Sequence, residues 1–233
     1  MTLKLITAMA LTAGLLCAEN DAPKRIAAAA SAFQEVMGIP DKSIPQDLLN
    51  RAQCIIIVPD LKKGAFIFGA KYGKGFFACR KKDGVGWTAP GSIRIEGGSV
   101  GFQIGGSETD LIMLVMNDRG EDKLLSSKFT LGAEGSVAAG PVGRTATAQT
   151  DAQMHAEILS WSRSQGLFAG LALEGATLRQ DLDDNQALYG KKLENRHIVT
   201  QGVRPPKSAE KLMGLLNRYS RREHKEVPTG TEQ

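Results

Sequence analysis

Positive charge and aromatic rings are interleaved near the middle of the chain, over about twenty residues. This texture attracts anionic phospholipid headgroups, and each cation close to the membrane surface contributes about 1 kcal/mol. Tight turns between antiparallel strands are expected to bring the paired lysines to one edge of a sheet. The alternative is that these lysines only keep an edge strand soluble. The cations are Lys62, Lys63, Lys71, Lys74, Arg80, Lys81 and Lys82, and the rings are Phe66, Phe68, Tyr72, Phe76 and Phe77.

Other kinds of site are poorly supported by the residue types and their spacing. Two segments, 73–78 and 84–89, match a loose dinucleotide loop, but neither precedes a predicted helix that would hold a phosphate. The three histidines are far apart, and no GxSxG elbow is present. We therefore predict a protein that is not an enzyme and that uses no metal or cofactor. Single-stranded nucleic acid favours basic and aromatic surfaces, but a net charge of +4 and the export signal described next argue against it.

The N-terminus has the pattern of a secretory signal. Lys4 precedes an apolar run over 5–16, which is too short to span a bilayer. We predict a signal peptide over 1–18 and export to the periplasm or envelope, with Ala18 as the small residue before the cleavage point. Lipidation of Cys17 is the less favoured alternative, because Leu16 is too large for a lipobox.

The cysteines leave two states open once cleavage removes Cys17. Cys54 and Cys79 each lie in an apolar, strand-like run, and free cysteine is among the most buried residue types. Buried thiols are therefore favoured over a disulfide, although an oxidising compartment would permit the bond.

The composition and periodicity predict one α+β domain, in which a curved, Gly-rich antiparallel sheet is packed by N-terminal and C-terminal helices. The 233 residues contain 26 glycines, which is typical of turns and bulges. Apolar spacing predicts helices over 22–37 and 181–191, with a short helix after Pro45 and a turn over 122–128. Segment 111–116 is apolar on both faces and is expected to be a central strand. Further strands are predicted over 53–58, 65–71, 75–80, 85–88, 92–96, 99–104, 143–149 and 158–173, the last broken at Gly166.

A final amphipathic helix is predicted over 207–225, with Ser208 as its N-cap and a frayed tail over 226–233. Its basic end suits the helix dipole, and the alternative is an amphipathic surface that meets anionic lipid. The chain thus divides into a signal peptide over 1–18, a domain over 19–195 and a C-terminal helix with its tail over 196–233.

Five Gly-rich motifs occur in an order that resembles the SYLF domain family, also called the lipid-binding or actin-binding SYLF domain. The resemblance covers roughly residues 25–192 and implies a non-enzymatic domain that binds phosphoinositides and other anionic lipids; fungal members also bind actin filaments. Eukaryotic members are cytosolic and often carry an SH3 module, whereas this chain has a predicted signal and no SH3-like extension, which argues against actin. The motifs are GAKYGKG at 69–75, GWTAP at 86–90, GGSVGFQIG at 97–105, AGPVGR at 139–144 and WSRSQGLFAGLALEG at 161–175.

By position, the resemblance implies that basic residues beside the first motif contact lipid. The predicted lipid contacts are Lys71, Lys74 and Arg80, followed by Lys24, Arg25, Lys81 and Lys82. The main alternative function is an envelope protein that binds another protein without lipid specificity.

Two further arginines are expected to be structural. We expect Arg144 and Arg163 to pair with Glu134, Glu157 or Glu174, because an unpaired interior charge is costly.

Overall fold

The computed structural model describes residues 21–39, 43–65, 68–100, 105–132, 137–141, 156–164, 167–169, 173 and 175–220. Helices pack against one sheet, so the predicted α+β class is confirmed. The helices are α1 Ala22–Gly38, α2 Gln46–Arg51, α3 Asp118–Leu124, α4 Leu182–Tyr189, α5 Asn195–Thr200 and α6 Glu210–Tyr219, the last preceded by a 3-10 turn over Lys207–Ala209. The strands are β1 Cys54–Ala65, β2 Phe68–Cys79, β3 Gly91–Val100, β4 Gly105–Val115, β5 Lys128–Thr130, β6 Val137–Ala139, β7 Ile158–Ser164, β8 Leu167–Ala169 and β9 Thr177–Gln180.

The strands form one curled sheet in the order β5-β9-β3-β2-β1-β4-β7-β6, and β8 pairs with β7. Neighbouring strands are antiparallel except β6 and β7, which run parallel, so the sheet is mixed rather than wholly antiparallel as predicted. The long strands β1–β4 therefore lie in the interior of the sheet, and shorter strands lie at its edges.

The sheet is apolar on both faces and therefore supports two cores. Along β4, Ile112 and Leu114 join a core with α1, α2 and α6, whereas Leu111, Met113 and Val115 join a second core with α3, β5 and β9. This alternation confirms the prediction that segment 111–116 contains a central strand.

A bulge in β1 bends the strand over its neighbour. The pairing of β1 shifts register on both sides between residues 57 and 62, and Asp60 adopts a φ of 51°, which is unusual for a residue with a side chain. Opposite the bulge, a Cβ on Gly75 would lie 2.2 Å from the carbonyl oxygen of Ile57, and one on Gly73 would lie 2.9 Å from Val58 Cγ1. These glycines allow the backbones to approach closely.

The close approach explains one error in the predicted strands. Segments 65–71 and 75–80 belong mainly to the single strand β2, because Gly73 and Gly75 accommodate a neighbour instead of ending the strand. Segment 85–88 is not a strand: Gly84 and Gly86 have φ near +75°, and a single bridge joins Arg80 to Trp87. Segments 92–96 and 99–104 likewise overlap one strand, β3.

The predicted helices are largely confirmed. Helix α1 extends one residue beyond the predicted 22–37, and α4 occupies most of 181–191. The final α-helix spans Glu210–Tyr219, and residues 221–225 of the predicted helix lie outside the described residues. Ser208 lies inside the 3-10 turn, so it is not an N-cap. The predictions for 1–18, 143–149 and 226–233 fall outside the described residues. No helix in the described part of the chain is long and apolar enough to cross a membrane.

The preference for unpaired buried thiols is wrong. Cys54 and Cys79 are directly opposite each other in the β1–β2 pair, with Cα atoms 3.9 Å apart, and they form a disulfide. Both are fully buried, and a Glu121 oxygen lies within 4.8 Å of the sulfur atoms. Because the sulfurs are bonded to each other, they are not thiolates that could bind a metal. The register that pairs the two cysteines depends on tertiary structure and cannot be read from their spacing.

Candidate anion-binding surfaces

The predicted cation cluster is divided between the two ends of the β1–β2 hairpin. Lys62 pairs with Tyr72 near the hairpin turn, whereas Arg80 directly follows the opposite end of β2, beside the disulfide. The ten-residue step from Lys71 to Lys81 corresponds to about 30 Å of extended strand. The expectation that these cations share one edge of the sheet is therefore wrong.

Two of the predicted lipid contacts lie inside the protein. Lys71 is 8% exposed and Arg80 is 7% exposed. The Arg80 guanidinium donates to three backbone carbonyls, those of Ala52 at 3.2 Å, Leu49 at 3.0 Å and Ser220 at 2.5 Å, and to the Ser220 hydroxyl. It also stacks 3.8 Å from the Trp87 ring centroid. Its donors are thus directed at the protein rather than at the surface.

Trp87 extends this contact to the C-terminal helix. Its indole Nε1 donates to the carbonyls of Leu216 at 3.2 Å and Ser220 at 3.1 Å. We call the contact among Arg80, Trp87 and Ser220 the C-terminal clasp. It joins the end of β2 to the end of α6, and its partners lie far apart in the sequence, so residue spacing gave no signal for it.

Three other predicted contacts, Lys24, Arg25 and Lys74, meet in a groove of about 640 Å³ between α1 and the β1 bulge. We call it the α1 groove. It is lined by Asp21, Lys24, Arg25, Ala28, Pro59, Asp60, Lys62, Tyr72, Gly73 and Lys74.

The inner cations of the α1 groove are held by buried acids on and before α4. Lys74 Nζ lies 2.8 Å from Asp181 Oδ2 and 2.9 Å from Asp184 Oδ1, and Arg25 also pairs with Asp184. Both carboxylates are almost fully buried. Asp181 additionally caps α4 by accepting from the Asp184 amide at 3.0 Å. These contacts tie α1, β2 and α4 together.

Lys74 and Asp181 each stabilise the charged form of the other. Burial alone would lower the pKa of Lys74, but its hydrogen bonds to Asp181 and Asp184 outweigh that effect and raise the pKa above 10.5. Burial alone would raise the pKa of Asp181, but the hydrogen bonds from Lys74 and the Asp184 amide bring it below 3.8. Lys74 and Asp181 are therefore charged across the physiological pH range.

The rim of the α1 groove is also paired. Lys24 lies 3.2 Å from Asp21, and Lys62 lies 3.8 Å from Glu108. Tyr72 is 47% exposed and is the only large exposed hydrophobic residue in the part of the chain that the structure describes. Because acids accompany each cation, the α1 groove has little net positive charge.

The remaining predicted contacts, Lys81 and Lys82, line a second groove of about 620 Å³, which we call the α5 groove. Both lysines are exposed, as is Arg204, which lines the same groove. None of the three has an ion pair with any residue that the structure describes. The groove is lined by Lys81, Lys82, Asp83, Trp87, Thr88, Ala89, Ile198, Val199, Thr200, Gly202, Val203, Arg204 and Pro205.

The α5 groove combines this charge with an apolar floor. Trp87, Ala89 and Ile198 are buried beneath it, whereas Val199 and Val203 are half-buried along it. Segment 198–205, which lines the α5 groove, was not predicted from the sequence, because it has no strong periodicity. The only signal was an arginine beside Gly202 and two prolines, which is typical of an exposed loop.

Arg163 has different partners from those predicted. It pairs with Glu35 on α1 and lies 3.5 Å from Asp110 on β4, rather than pairing with a nearby glutamate in sequence. Glu157 is instead held by Lys123 at 2.8 Å. The Arg144 prediction lies outside the described residues. Arg163 therefore stabilises the packing of α1 on the sheet.

The curled α+β sheet thus presents two open grooves that are lined by charged side chains. A family model described as Ysc84, Las17-binding protein actin regulator, matches residues 96–219, more than half of the chain. The protein belongs to this family, and the resemblance to SYLF domains is confirmed.

Two similar proteins, one from yeast and one from human, are longer than this chain. LAS seventeen-binding protein 3 of Saccharomyces cerevisiae is 35% identical over 180 residues, which cover 76% of this chain and 39% of the yeast protein. SH3 domain-containing YSC84-like protein 1 of Homo sapiens is 32% identical over 182 residues, which cover 78% of this chain and 53% of the human protein. The match to these relatives thus spans about two fifths to half of their length.

Proposed function

We propose that this protein binds anionic phospholipid at a membrane surface through the α5 groove. The observation that supports the proposal is the group of three exposed cations, Lys81, Lys82 and Arg204, which lack ion pairs among the described residues. They line one groove together with apolar side chains and a single acid, Asp83. In the α1 groove, by contrast, each cation already has an acidic partner.

The charge of the α5 groove sets the expected strength of binding. Lys81, Lys82 and Arg204 together with the acid Asp83 give the groove a net charge of +2. At about 1 kcal/mol per unit charge near an anionic surface, this contributes about 2 kcal/mol, or roughly 30-fold in affinity at low salt. The proposal retains Lys81 and Lys82 from the predicted contacts and does not depend on Lys71, Lys74 or Arg80, which are buried or ion-paired.

Vesicle co-sedimentation tests the proposal with two charge-matched variants. Lys81→Glu/Lys82→Glu alters the α5 groove, and Lys24→Glu/Lys62→Glu makes the same change of net charge in the α1 groove. We expect the first variant to reduce binding to phosphatidylglycerol vesicles at least about 30-fold, because two favourable contacts become repulsive. The second variant should retain most of the binding.

Salt and lipid composition provide the controls. Coulombic binding should weaken between about 0.1 M and 1 M salt, as the Debye length falls from about 10 Å to 3 Å. Vesicles of phosphatidylcholine alone should not bind. If the folded protein does not bind anionic vesicles, the proposal is refuted. If both variants lose vesicle binding equally, the assignment to the α5 groove is refuted.

We also propose that the protein is exported to the periplasm or envelope. Disulfides persist mainly in oxidising compartments, so the buried Cys54–Cys79 bond supports a location outside the cytosol. Mass spectrometry of the protein purified from the envelope fraction should show an N-terminus near residue 19. A lipid-modified Cys17 would establish the anchored alternative, and an intact N-terminus in the cytosol would refute export.

A protein partner is the second candidate function, and the family itself favours it. The matching family model is described by binding to Las17 and regulation of actin. Co-sedimentation with purified actin filaments tests this candidate directly. Binding that survives in Lys81→Glu/Lys82→Glu would indicate a surface other than the α5 groove.

A further inference from the structure

We infer that the α5 groove captures a single anionic amphiphile, with its charged head among Lys81, Lys82 and Arg204 and the start of its apolar chain along the groove floor. This inference rests on the proposed function and adds to it the class and stoichiometry of the ligand. Adsorption to a charged surface requires only exposed cations, whereas the α5 groove also provides a concave apolar surface.

The floor is suited to an alkyl chain. Val199 and Val203 expose part of their side chains along the groove, and Pro205 continues the apolar surface beside Arg204. Trp87 and Ile198 close the groove from beneath. Since exposed cations and apolar side chains line the same groove, a ligand with a negative head and an apolar tail matches both kinds of lining residue.

The volume agrees with a small amphiphile rather than with a lone anion. The groove encloses about 620 Å³, within the range of roughly 300–1,000 Å³ that is usual for sites of small ligands. At about 30 Å³ per molecule, it holds roughly twenty waters. An inorganic phosphate would displace only a few of these waters and would leave the floor wet.

The groove is held in shape by contacts outside it. Thr88, in its wall, donates its amide to the Cys79 carbonyl at 2.8 Å and accepts from the Cys79 amide at 3.1 Å through Oγ1. Cys79 is in turn fixed by the disulfide, and Trp87 by the C-terminal clasp. A groove that is already formed loses little free energy through ordering when a ligand binds.

Titration with soluble alkyl phosphates tests the inference without a membrane. Butyl, hexyl and octyl phosphate, each kept below its micelle-forming concentration, should bind with one molecule per chain by calorimetry. Full burial of a methylene strengthens binding about fourfold, and an open groove should retain at least about twofold. The affinity should therefore rise at least about 15-fold from butyl to octyl phosphate.

Two kinds of variant separate the head from the tail. Lys81→Ala/Lys82→Ala should weaken all three alkyl phosphates by a similar factor, whereas Lys24→Ala/Lys62→Ala, the matched change in the α1 groove, should leave them unchanged. Val203→Asp should remove most of the dependence on chain length. Thermal unfolding of each variant confirms that the fold is intact.

Further ligands identify which part of the amphiphile is recognised. Octyl phosphocholine, which has the same tail and no net charge, should bind at least about tenfold more weakly than octyl phosphate. Inorganic phosphate should bind no better than butyl phosphate. An affinity that is independent of chain length, or a stoichiometry well above one, would overturn the inference. If vesicle binding persisted in that case, the proposed function would stand and only capture of a single amphiphile would be wrong.

Discussion

The disulfide between Cys54 and Cys79 should contribute about 3.5 kcal/mol to the free energy of unfolding. The bond joins residues 25 positions apart. The loop-entropy relation for a closed loop of that length gives about 12 cal/mol/K, which is about 3.5 kcal/mol at about 25 °C. With a urea m-value of about 2.3 kcal/mol/M, loss of the bond should lower the unfolding midpoint by about 1.5 M.

A double-mutant cycle with Cys54→Ala and Cys79→Ala separates the bond from side-chain packing. Each single variant loses the whole bond and some packing, whereas the double variant loses the bond only once. The loss in the double variant should therefore fall short of the summed single losses by about 3.5 kcal/mol. Urea unfolding of protein purified under oxidising conditions measures all four species.

The same cycle can refute the assignment of the bond. If Cys54 and Cys79 are buried thiols without a bond, the shortfall should be smaller than about 3.5 kcal/mol, because only packing then couples them, and residues in contact couple by about 0.5–3 kcal/mol. Titration of the denatured protein with a thiol reagent is the control, and Cys54 and Cys79 should give no signal until a dithiol reductant is added. Two reactive thiols without reductant would contradict the structure.

Four further predictions concern buried contacts. Asp184→Asn should lower the free energy of unfolding by about 3 kcal/mol, because it removes a buried partner of Lys74. The folded pKa of Asp181 lies below 3.8, so its contribution to the free energy of unfolding is complete above pH 3.8 and is lost as the pH falls through the folded pKa. The folded pKa of Lys74 lies above 10.5, so its contribution is complete below pH 10.5 and is lost as the pH rises through the folded pKa. Arg80→Lys should cost about 3 kcal/mol through at least two lost hydrogen bonds. Gly75→Ala should cost at least about 3 kcal/mol, because the added methyl group would overlap a backbone carbonyl of β1.

Urea unfolding between pH 3 and pH 11 checks the first two of these, and Asp183→Asn is the matched control for Asp184→Asn. The Asp183 side chain is 74% exposed and pairs with Lys192 on the surface, so its loss should change stability by no more than about 0.5 kcal/mol. Equal effects of the two substitutions would contradict the importance of the ion cluster. Unchanged stability of Arg80→Lys would contradict the contacts of the C-terminal clasp. Unchanged stability of Gly75→Ala would show that β1 and β2 are farther apart than described.

The elements with strong local signals were predictable from sequence. Helix α1 follows from alanines and apolar residues at helical spacing, and β4 follows from a run that is apolar on both faces. The strand β2 was divided in two because glycine usually ends a strand. Here Gly73 and Gly75 instead permit contact with a bulge, which only the paired strand reveals.

The sites were less predictable, because charge alone does not show whether a side chain is buried. Lys81 and Arg80 are neighbours in sequence, but Arg80 turns inward to meet Ser220, while Lys81 faces the α5 groove. Arg204 completes that groove from more than a hundred residues away. Such a grouping depends on the order of strands and on loop packing, which periodicity does not encode.

The C-terminal clasp imposes an order on folding during synthesis. The carbonyls of Leu49 and Ala52 reach Arg80 from 31 and 28 residues away, but Ser220 lies 140 residues further along the chain. Until that last turn is made, the guanidinium lacks two of its partners and Trp87 lacks its acceptors, so burying this end of the sheet is unfavourable. Contacts of such high sequence separation form late and slow the overall reaction. Because the N-terminus is synthesised first, the chain should stay incompletely packed until nearly all of it has been made. An incompletely packed polypeptide is one that can still pass through a narrow channel.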